Sequence, residues 1–225
     1  MTYWHYDFLI IKNTFIQINL RYMYNSKIIG VGHYVPNNVV TNDDLTQFMD
    51  TSDEWIKERT GIEQRRWIKD ESTETTASMG VEAAKIAIER SGLNKDEIDF
   101  IVFATLSPDY YFPGPGVQVQ EALDIKTVGA LDVRNQCSGF VYGLSVADQF
   151  IKTGMYKNVL VVGSELQSRG IDKSTRGRNI SVIFGDGAGA VVMSREEDTS
   201  KGVLSTHLHS EGQHAKELSL LSPGM

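Results

Sequence analysis

Cysteine is the scarcest chemically reactive residue of this sequence, since the 225 residues contain one, Cys137. A single cysteine excludes an internal disulfide and a cysteine-rich zinc site, and it fits a protein of the reducing cytoplasm. Positive charge is also in short supply, because 22 lysines and arginines stand against 29 aspartates and glutamates. The net charge of −7 argues against nonspecific nucleic-acid binding. We therefore expect no nucleic-acid partner.

The sequence also lacks a long hydrophobic run. The apolar run Phe8–Ile11 is too short for a signal-peptide core, and the polar residues that follow it interrupt any membrane span. We therefore expect a cytoplasmic protein with no membrane partner. Residues 1–25 are rich in aromatic side chains, and we interpret them as an atypical extension in which Met23 is the natural start and the preceding stretch is translated upstream sequence. The alternative is an extra edge strand or an interfacial segment.

Residues 26–225 alternate between aliphatic runs and segments of helical periodicity. Continuous aliphatic strands separated by helices are typical of an α/β fold with a mixed, mainly parallel sheet covered on both faces. Strands are predicted at residues 28–32, 98–105, 128–133, 159–163, 180–184, 188–193 and 203–209. Helices are predicted at 42–49 and 53–59, from Ser72 or Thr73 to Ser91, at 116–123, and from Cys137 to Gly154.

Two glycine-rich segments raise the question of a nucleotide-binding loop. Gly30–Val35 lacks the third glycine of a dinucleotide fingerprint, and Phe184–Ala190 has neither the spacing nor the Lys-Ser/Thr pair of a phosphate loop. We reject both interpretations, and glycine in the second segment instead favours close approach of backbones.

His207 and His209 alternate along a predicted strand, but no carboxylate–histidine pattern accompanies them. The sequence therefore predicts no metal site.

Cys137 lies between a predicted strand and a predicted amphipathic helix. A helix N-terminus offers unpaired N–H groups and a partial positive charge, which lower the pKa of a thiol and make a nucleophile available near neutral pH. The alternative is a buried, inert cysteine.

Trp55 and Arg59 are four residues apart in a predicted helix and so share one face. A tryptophan beside a guanidinium can stack a purine ring and neutralise a phosphate. The alternative is an ordinary packed tryptophan with a solvated arginine.

Several segments together resemble the type III beta-ketoacyl-acyl-carrier-protein synthases of the thiolase superfamily. They are Asp53–Ile62, Phe112-Pro113, Gln136–Phe140, Leu144–Phe150 and Ile183–Ala190. The resemblance runs from about Lys27 to the end of the chain and implies a thiolase-like layered fold, of which this chain is the first of two similar halves. It further implies a homodimer that starts fatty-acid synthesis. A cysteine takes an acyl group from acyl-CoA, and the acyl-enzyme then condenses with malonyl-acyl-carrier protein with loss of carbon dioxide.

The resemblance implies a role for each matching residue. Cys137 is the acylated nucleophile, and acyl-CoA is a substrate, with no further cofactor. Trp55 and Arg59 hold the adenine end of CoA, and Arg176 lies on the other side of that ring. Phe112 reaches the acyl pocket of the dimer partner and limits chain length.

The sequence departs from the family pattern in two places. Gln136 and Ser138 flank Cys137 where the family commonly has alanines, which leaves the acyl preference open. The family's second half supplies a catalytic histidine and asparagine, and no segment here matches them, so we expect this chain alone to be incomplete for condensation.

Two other functions stay open. One is a related CoA-dependent synthase with another acceptor, such as a polyketide starter enzyme or a hydroxymethylglutaryl-CoA synthase. The other is a non-catalytic half that binds CoA or complements a partner.

Overall fold

The computed structural model describes residues 24–70 and 72–219 of the chain. Seven strands lie in this part: β1 (Asn25–Tyr34), β2 (Val39–Thr41), β3 (Gln64–Arg66), β4 (Phe100–Ala104), β5 (Gly129–Val133), β6 (Asn158–Leu166) and β7 (Asp186–Glu196). The α-helices of this part are α1 (Asn42–Leu45), α2 (Asp53–Thr60), α3 (Thr76–Ser91), α4 (Pro115–Ala122), α5 (Gly139–Lys152) and α6 (Arg178–Ser181). The expected extension lies outside the described residues except for its last two.

Five strands form the central sheet in the order β1-β7-β6-β4-β5, while β2 and β3 form a separate two-stranded sheet. β4 pairs in parallel with β5 and β6, whereas β7 pairs antiparallel with β6 and β1. Four of the five strands therefore run in one direction, and β7 runs against them. The sheet is mixed and mainly parallel, as the aliphatic runs predict.

Alternate residues of the central strands pack against helices on opposite faces of the sheet. On one face, Phe103 of β4 and Leu160 of β6 pack with Ala87 of α3. On the other face, Val102 of β4 packs with Ala147 of α5. All five side chains are fully buried. Burial on both faces explains why these strands read as continuous aliphatic runs. In the described part of the chain, no helix is long and apolar enough to cross a membrane.

Two glycines of β1 allow α3 to lie directly on the backbone of the strand. A Cβ at Gly30 would lie 2.1 Å from the carbonyl oxygen of Ala87, and one at Gly32 would lie 2.1 Å from that of Ala83. Glycine is required at both positions because any larger residue would overlap the helix backbone. The Gly30–Val35 segment therefore has a packing role, in line with the rejection of a nucleotide loop.

A buried ion pair holds α5 against β1. Lys152 Nζ lies 3.0 Å from Asp148 Oδ2, and the two side chains are almost fully buried. Ser26 Oγ donates to Asp148 Oδ1 at 2.7 Å, and Lys152 Nζ donates to the carbonyl oxygen of Val203 at 2.9 Å. These contacts replace the water that the two charges lose on burial. They fix the C-terminal end of the helix that follows Cys137.

The predicted strand over residues 180–184 is wrong. Its first residues belong to α6, and the N–H of Val182 donates to the carbonyl oxygen of Arg178. The β-branched residues favoured a strand. However, the Val182 side chain is buried in a hydrophobic cluster with Ile56 and Trp67, which a helical turn allows.

The predicted strand over residues 203–209 is also wrong, since this part of the described chain contains no strand. The N–H of Val203 donates to the carbonyl oxygen of Ser26, and Ser145 Oγ of α5 donates to Thr206 Oγ1 at 3.1 Å. Alternating apolar and polar residues predict a strand only where a neighbouring strand offers its hydrogen bonds.

Two predicted helices have different bounds. The first, predicted at 42–49, is helical only to Leu45. The third begins at Thr76, because Thr75 and not Ser72 or Thr73 is its N-cap and accepts from the N–H of Ser78.

Candidate functional site

Cys137 lies at the C-terminal edge of the parallel strands, just before α5. The chain leaves β5 at Val133, forms a 3-10 turn at Gln136–Ser138 and enters α5 at Gly139. A Cβ built at Gly139 would lie 3.4 Å from the Ala104 side chain at the end of β4. The thiol is exposed to solvent. The strand–turn–helix arrangement predicted from the sequence is therefore present.

The turn that carries Cys137 has two unusual features. Gln136 has φ 48°, in the left-handed region that residues other than glycine rarely adopt. Ser138 Oγ donates to the carbonyl oxygen of Asn135 at 3.1 Å, and no side chain caps the start of α5. No side chain therefore caps α5, and the N–H of its first residue, Gly139, donates to the carbonyl oxygen of Gln136.

Trp55 stands in the first turns of α2, with its ring beside Arg59. Ser52 begins the helix by accepting from the Trp55 N–H at 3.1 Å, and Gly61 ends it in the left-handed conformation. Arg59 Cζ lies 4.5 Å from the centroid of the Trp55 ring. The prediction that these two side chains share a helix face is confirmed.

A separate hydrophobic cluster packs against Trp55. Ile56 and Leu45 are fully buried in it. The Trp55 ring packs against this cluster, whose buried members are Val40, Leu45, Met49, Ile56, Trp67 and Val182. Elements distant in sequence thus meet beneath α2.

Arg178 is a second cation at the Trp55 ring, and the sequence analysis missed it. Its Cζ lies 4.3 Å from the ring centroid, within the range of a cation–π contact. Its Nη1 donates to the carbonyl oxygen of Asp50 at 2.5 Å. The signal that could have found it was a second arginine two positions after Arg176.

Arg176 makes a different set of contacts. Its Nε donates to Asp172 Oδ2 at 2.7 Å, and its side chain is 89% exposed. Asp172 also accepts from the N–H and Oγ of Ser174. The Ser174 hydrogen bonds, together with the Arg176 guanidinium, lower the pKa of Asp172 to about 2. Arg176 is therefore tethered at the surface without contacting Trp55.

Phe112 lies on the segment between β4 and α4, and it is 81% exposed. Its ring centroid lies 6.4 Å from that of Tyr111, which is itself 66% exposed. In the described part of the chain, neither Cys137 nor Phe112 shares a hydrogen bond, ion pair or ring contact with Trp55. The structure thus places Arg59 and Arg178 in contact with the Trp55 ring. Arg176 lies on the same segment as Arg178. Cys137 and Phe112 lie elsewhere and have no such contact with Trp55 among the described residues.

Solved structures that resemble this one identify its fold class. The structure resembles 3-oxoacyl-[acyl-carrier-protein] synthase III from Aquifex aeolicus VF5, with a TM-score of 0.74 and 49% identity, over 77% of this chain and 55% of that one. It also resembles beta-ketoacyl-[acyl-carrier-protein] synthase III from Thermus thermophilus, with a TM-score of 0.80 and 35% identity, over 88% of this chain and 61% of that one. The fold is therefore the layered α/β fold of thiolase-like proteins.

Sequence comparisons then give the proteins that this chain resembles. The family model for 3-oxoacyl-[acyl-carrier-protein (ACP)] synthase III matches residues 131–212. Beta-ketoacyl-[acyl-carrier-protein] synthase III of Ehrlichia canis (strain Jake) is 48% identical over 190 residues, 84% of this chain and 58% of that protein. Beta-ketoacyl-[acyl-carrier-protein] synthase III 1 of Bacillus anthracis is 50% identical over 194 residues, which are 86% of this chain and 61% of that protein. The chain is therefore similar to beta-ketoacyl-[acyl-carrier-protein] synthases III and spans about three fifths of the length of these relatives.

Proposed function

We propose that this chain carries the acyl-accepting part of a beta-ketoacyl-acyl-carrier-protein synthase III, in which Cys137 takes an acyl group from an acyl-CoA. The observation that carries the proposal is the exposed Cys137 thiol at the start of α5, inside the segment 131–212 that matches the family model. A nucleophile must be reachable by its substrate, and the thiol meets that requirement.

In the proposed first step, the Cys137 thiolate attacks the thioester carbonyl carbon of the acyl-CoA. The tetrahedral adduct then collapses, the bond to the CoA sulfur breaks, and CoA leaves as a thiolate that takes up the proton lost by Cys137. In this proposal, the partial positive charge at the start of α5, which no side chain caps, stabilises negative charge at this position. The step needs no metal and no cofactor besides the acyl-CoA substrate.

In the proposed second step, malonyl-acyl-carrier protein loses carbon dioxide and its α-carbon attacks the Cys137 thioester. A carbon–carbon bond forms, the Cys137 thiolate is released, and the β-ketoacyl group remains on the acyl carrier protein. The enolate formed by decarboxylation needs hydrogen-bond donors.

The nucleotide end of CoA is proposed to bind at Trp55, Arg59 and Arg176. An adenine ring can stack on the Trp55 indole with Arg176 on its other side, while the Arg59 guanidinium neutralises a phosphate. The Arg176 side chain is 89% exposed, so its guanidinium is accessible to a ligand from solvent while its Nε is bonded to Asp172.

A homodimer is also proposed, with Phe112 at its interface. The support is the cluster of exposed aromatic side chains on one segment, Tyr110, Tyr111 and Phe112, which are 58%, 66% and 81% exposed. A cytoplasmic location fits the proposal because the thiol must stay reduced.

Intact-protein mass spectrometry after incubation with labelled acetyl-CoA tests the proposed function. We expect one acetyl adduct on the wild-type chain and none on Cys137→Ala. Ser138→Ala is the matched control, since it changes the adjacent residue and keeps the thiol. A folded wild-type chain that binds CoA and forms no adduct would favour the non-catalytic alternative.

A further inference from the structure

We propose that Asp109 is a positioning residue for acyl-chain length, which fixes the aromatic segment Tyr110–Phe112 on the start of α3. The inference rests on the proposed function, because it takes Phe112 as the side chain that limits the acyl group in the pocket of the dimer partner. Asp109 acts through Phe112 and needs no contact of its own with the substrate.

The Asp109 carboxylate binds the first turn of α3. Its Oδ1 accepts from the N–H of Thr76 and its Oδ2 accepts from the N–H of Ala77, both at 2.8 Å. The first N–H groups of a helix have no partner within the helix and carry a partial positive charge. Hydrogen bonds from such groups to a carboxylate are stronger than bonds between neutral groups. Since Thr76 is fully buried and Ala77 is 6% exposed, Asp109 is attached to a part of the core.

The residues that precede Asp109 are held by the end of β6 and by α3. Glu165 Oε1 accepts from the N–H of Leu106 at 2.7 Å, and Glu165 Oε2 accepts from Ser107 Oγ at 2.6 Å. Thr76 Oγ1 donates to the carbonyl oxygen of Ser107. The chain that leaves β4 is therefore fixed at residues 106, 107 and 109, just before the aromatic side chains.

A second carboxylate holds the chain after the aromatic segment. The N–H of Gly116 donates to Asp132 Oδ1 of β5 at 2.9 Å. A Cβ at Gly114 would lie 2.2 Å from Asp132 Oδ2, so the carboxylate fills a space that only glycine leaves free. Residues 110–112 therefore lie between an anchor on α3 and an anchor on β5.

The position of the Phe112 ring depends on these anchors because packing contributes little to it. The ring is 81% exposed, and its ring contact in the described chain is with Tyr111, which is 66% exposed. Without the Asp109 carboxylate, the segment loses the anchor nearest to Phe112 on its N-terminal side. A ring whose position is less well defined excludes a long acyl group less effectively.

A competition between acetyl-CoA and octanoyl-CoA tests the proposal in the full-length chain. Intact-protein mass spectrometry gives the ratio of octanoyl to acetyl adducts on Cys137. We expect Asp109→Ala to raise this ratio by roughly fivefold over wild type, because the acyl pocket then admits the longer chain. Asp109→Asn keeps one acceptor oxygen and loses the charge, so it should give a smaller rise.

Asp99→Ala is the matched control. Asp99 Oδ2 also accepts from two successive main-chain N–H groups, those of Lys157 and Asn158, both at 3.0 Å. These contacts lie at the start of β4 and β6, opposite the end at which the aromatic segment begins. The control should leave the adduct ratio unchanged, whereas an equal rise in Asp99→Ala and Asp109→Ala would overturn the proposal.

A double variant tests whether Asp109 acts through Phe112. Phe112→Ala should raise the adduct ratio by at least as much as Asp109→Ala, and adding Asp109→Ala to it should have no further effect. The same rise in the Phe112→Ala background and in the wild-type background would overturn the proposal, as would an unchanged ratio in a folded Asp109→Ala chain. If Asp109→Ala does not fold, Asp109→Asn replaces it in this comparison.

Failure of the proposed function gives a different result. If the wild-type chain forms no adduct with either acyl-CoA, the proposed function fails. Amide hydrogen exchange of residues 106–116 and of the first turn of α3 then still decides whether Asp109 anchors the segment. Faster exchange in Asp109→Ala and none in Asp99→Ala supports the anchor, and equal exchange in wild type and Asp109→Ala overturns it.

Discussion

The Trp55 region and the Cys137 region differ in how their geometry is fixed. Trp55 packs on its own buried cluster, and Asp50, just before α2, donates its N–H to Thr175 and accepts from Arg178 through its carbonyl oxygen. Cys137 is exposed, and nearby apolar side chains such as Val141 are exposed too. The backbone of α5 and the strands beneath it set the position of the thiol, whereas packed side chains set that of the indole. The position of a binding surface can thus be set by one local cluster of side chains. The position of a nucleophile is set here by the backbone at the start of a helix.

The largest effect should come from the buried ion pair behind Cys137. Asp148→Ala removes the carboxylate from an almost fully buried Lys152 ammonium, so we expect the free energy of unfolding to fall by about 3–5 kcal/mol in urea denaturation. Glu82→Ala is the matched control, since it breaks the exposed Lys85–Glu82 pair and should change stability by less than about 1 kcal/mol. Equal effects would show that the α5 anchor is not stabilised by burial of its charges.

The next effect concerns the cluster beneath Trp55. Ile56→Ala leaves a cavity in that cluster and should lower the free energy of unfolding by about 2–5 kcal/mol. The same change at Ile183, which is 52% exposed, should stay within about 0.5 kcal/mol. Comparable losses at the two positions would contradict the claim that the Trp55 region has a core of its own.

A smaller effect depends on pH. Ser174 and Arg176 hold the pKa of Asp172 at about 2, below its unfolded value of about 3.9. The ionised form is therefore favoured in the folded state, and this stabilisation is present above about pH 4 and is lost as the pH falls toward 2. Asp172→Asn should lower the melting temperature slightly at neutral pH, and the difference from wild type should shrink below pH 4. A constant difference across this range would contradict the assignment.

The smallest effect is expected at Phe112, on the segment between β4 and α4. Because its ring is 81% exposed, Phe112→Ala should change the unfolding free energy of the monomer by no more than about 0.5 kcal/mol. Urea denaturation at low protein concentration measures this. A loss above about 1.5 kcal/mol would mean that the segment is packed more tightly than its exposure indicates.

Local patterns predicted most of the fold. The aliphatic run over residues 159–163 predicted the centre of β6, because a strand covered on both faces selects apolar residues at every position. The period of Phe140, Leu144, Ala147 and Ile151 predicted the inner face of α5, where all four pack on the sheet.

Contacts between distant segments could not be predicted in the same way. The four-residue spacing of Trp55 and Arg59 placed both on one helix face, but Arg178 lies more than a hundred residues later, and no local pattern links it to Trp55. The error over residues 180–184 has a similar cause. Its β-branched residues matched a strand locally, while the buried cluster beneath Trp55 required a helical turn there.

The pairing of β1 with β7 has a consequence for synthesis on the ribosome. The register joins Asn25 to Glu196 and Tyr34 to Ala188, so β1 pairs with a strand made more than 150 residues later. At translation rates of about 5–20 residues per second, β1 waits roughly 10–30 s for that partner. Gly30 and Gly32 allow α3 to cover the strand long before then. The helix therefore shields the nascent chain until the last strand of the sheet emerges.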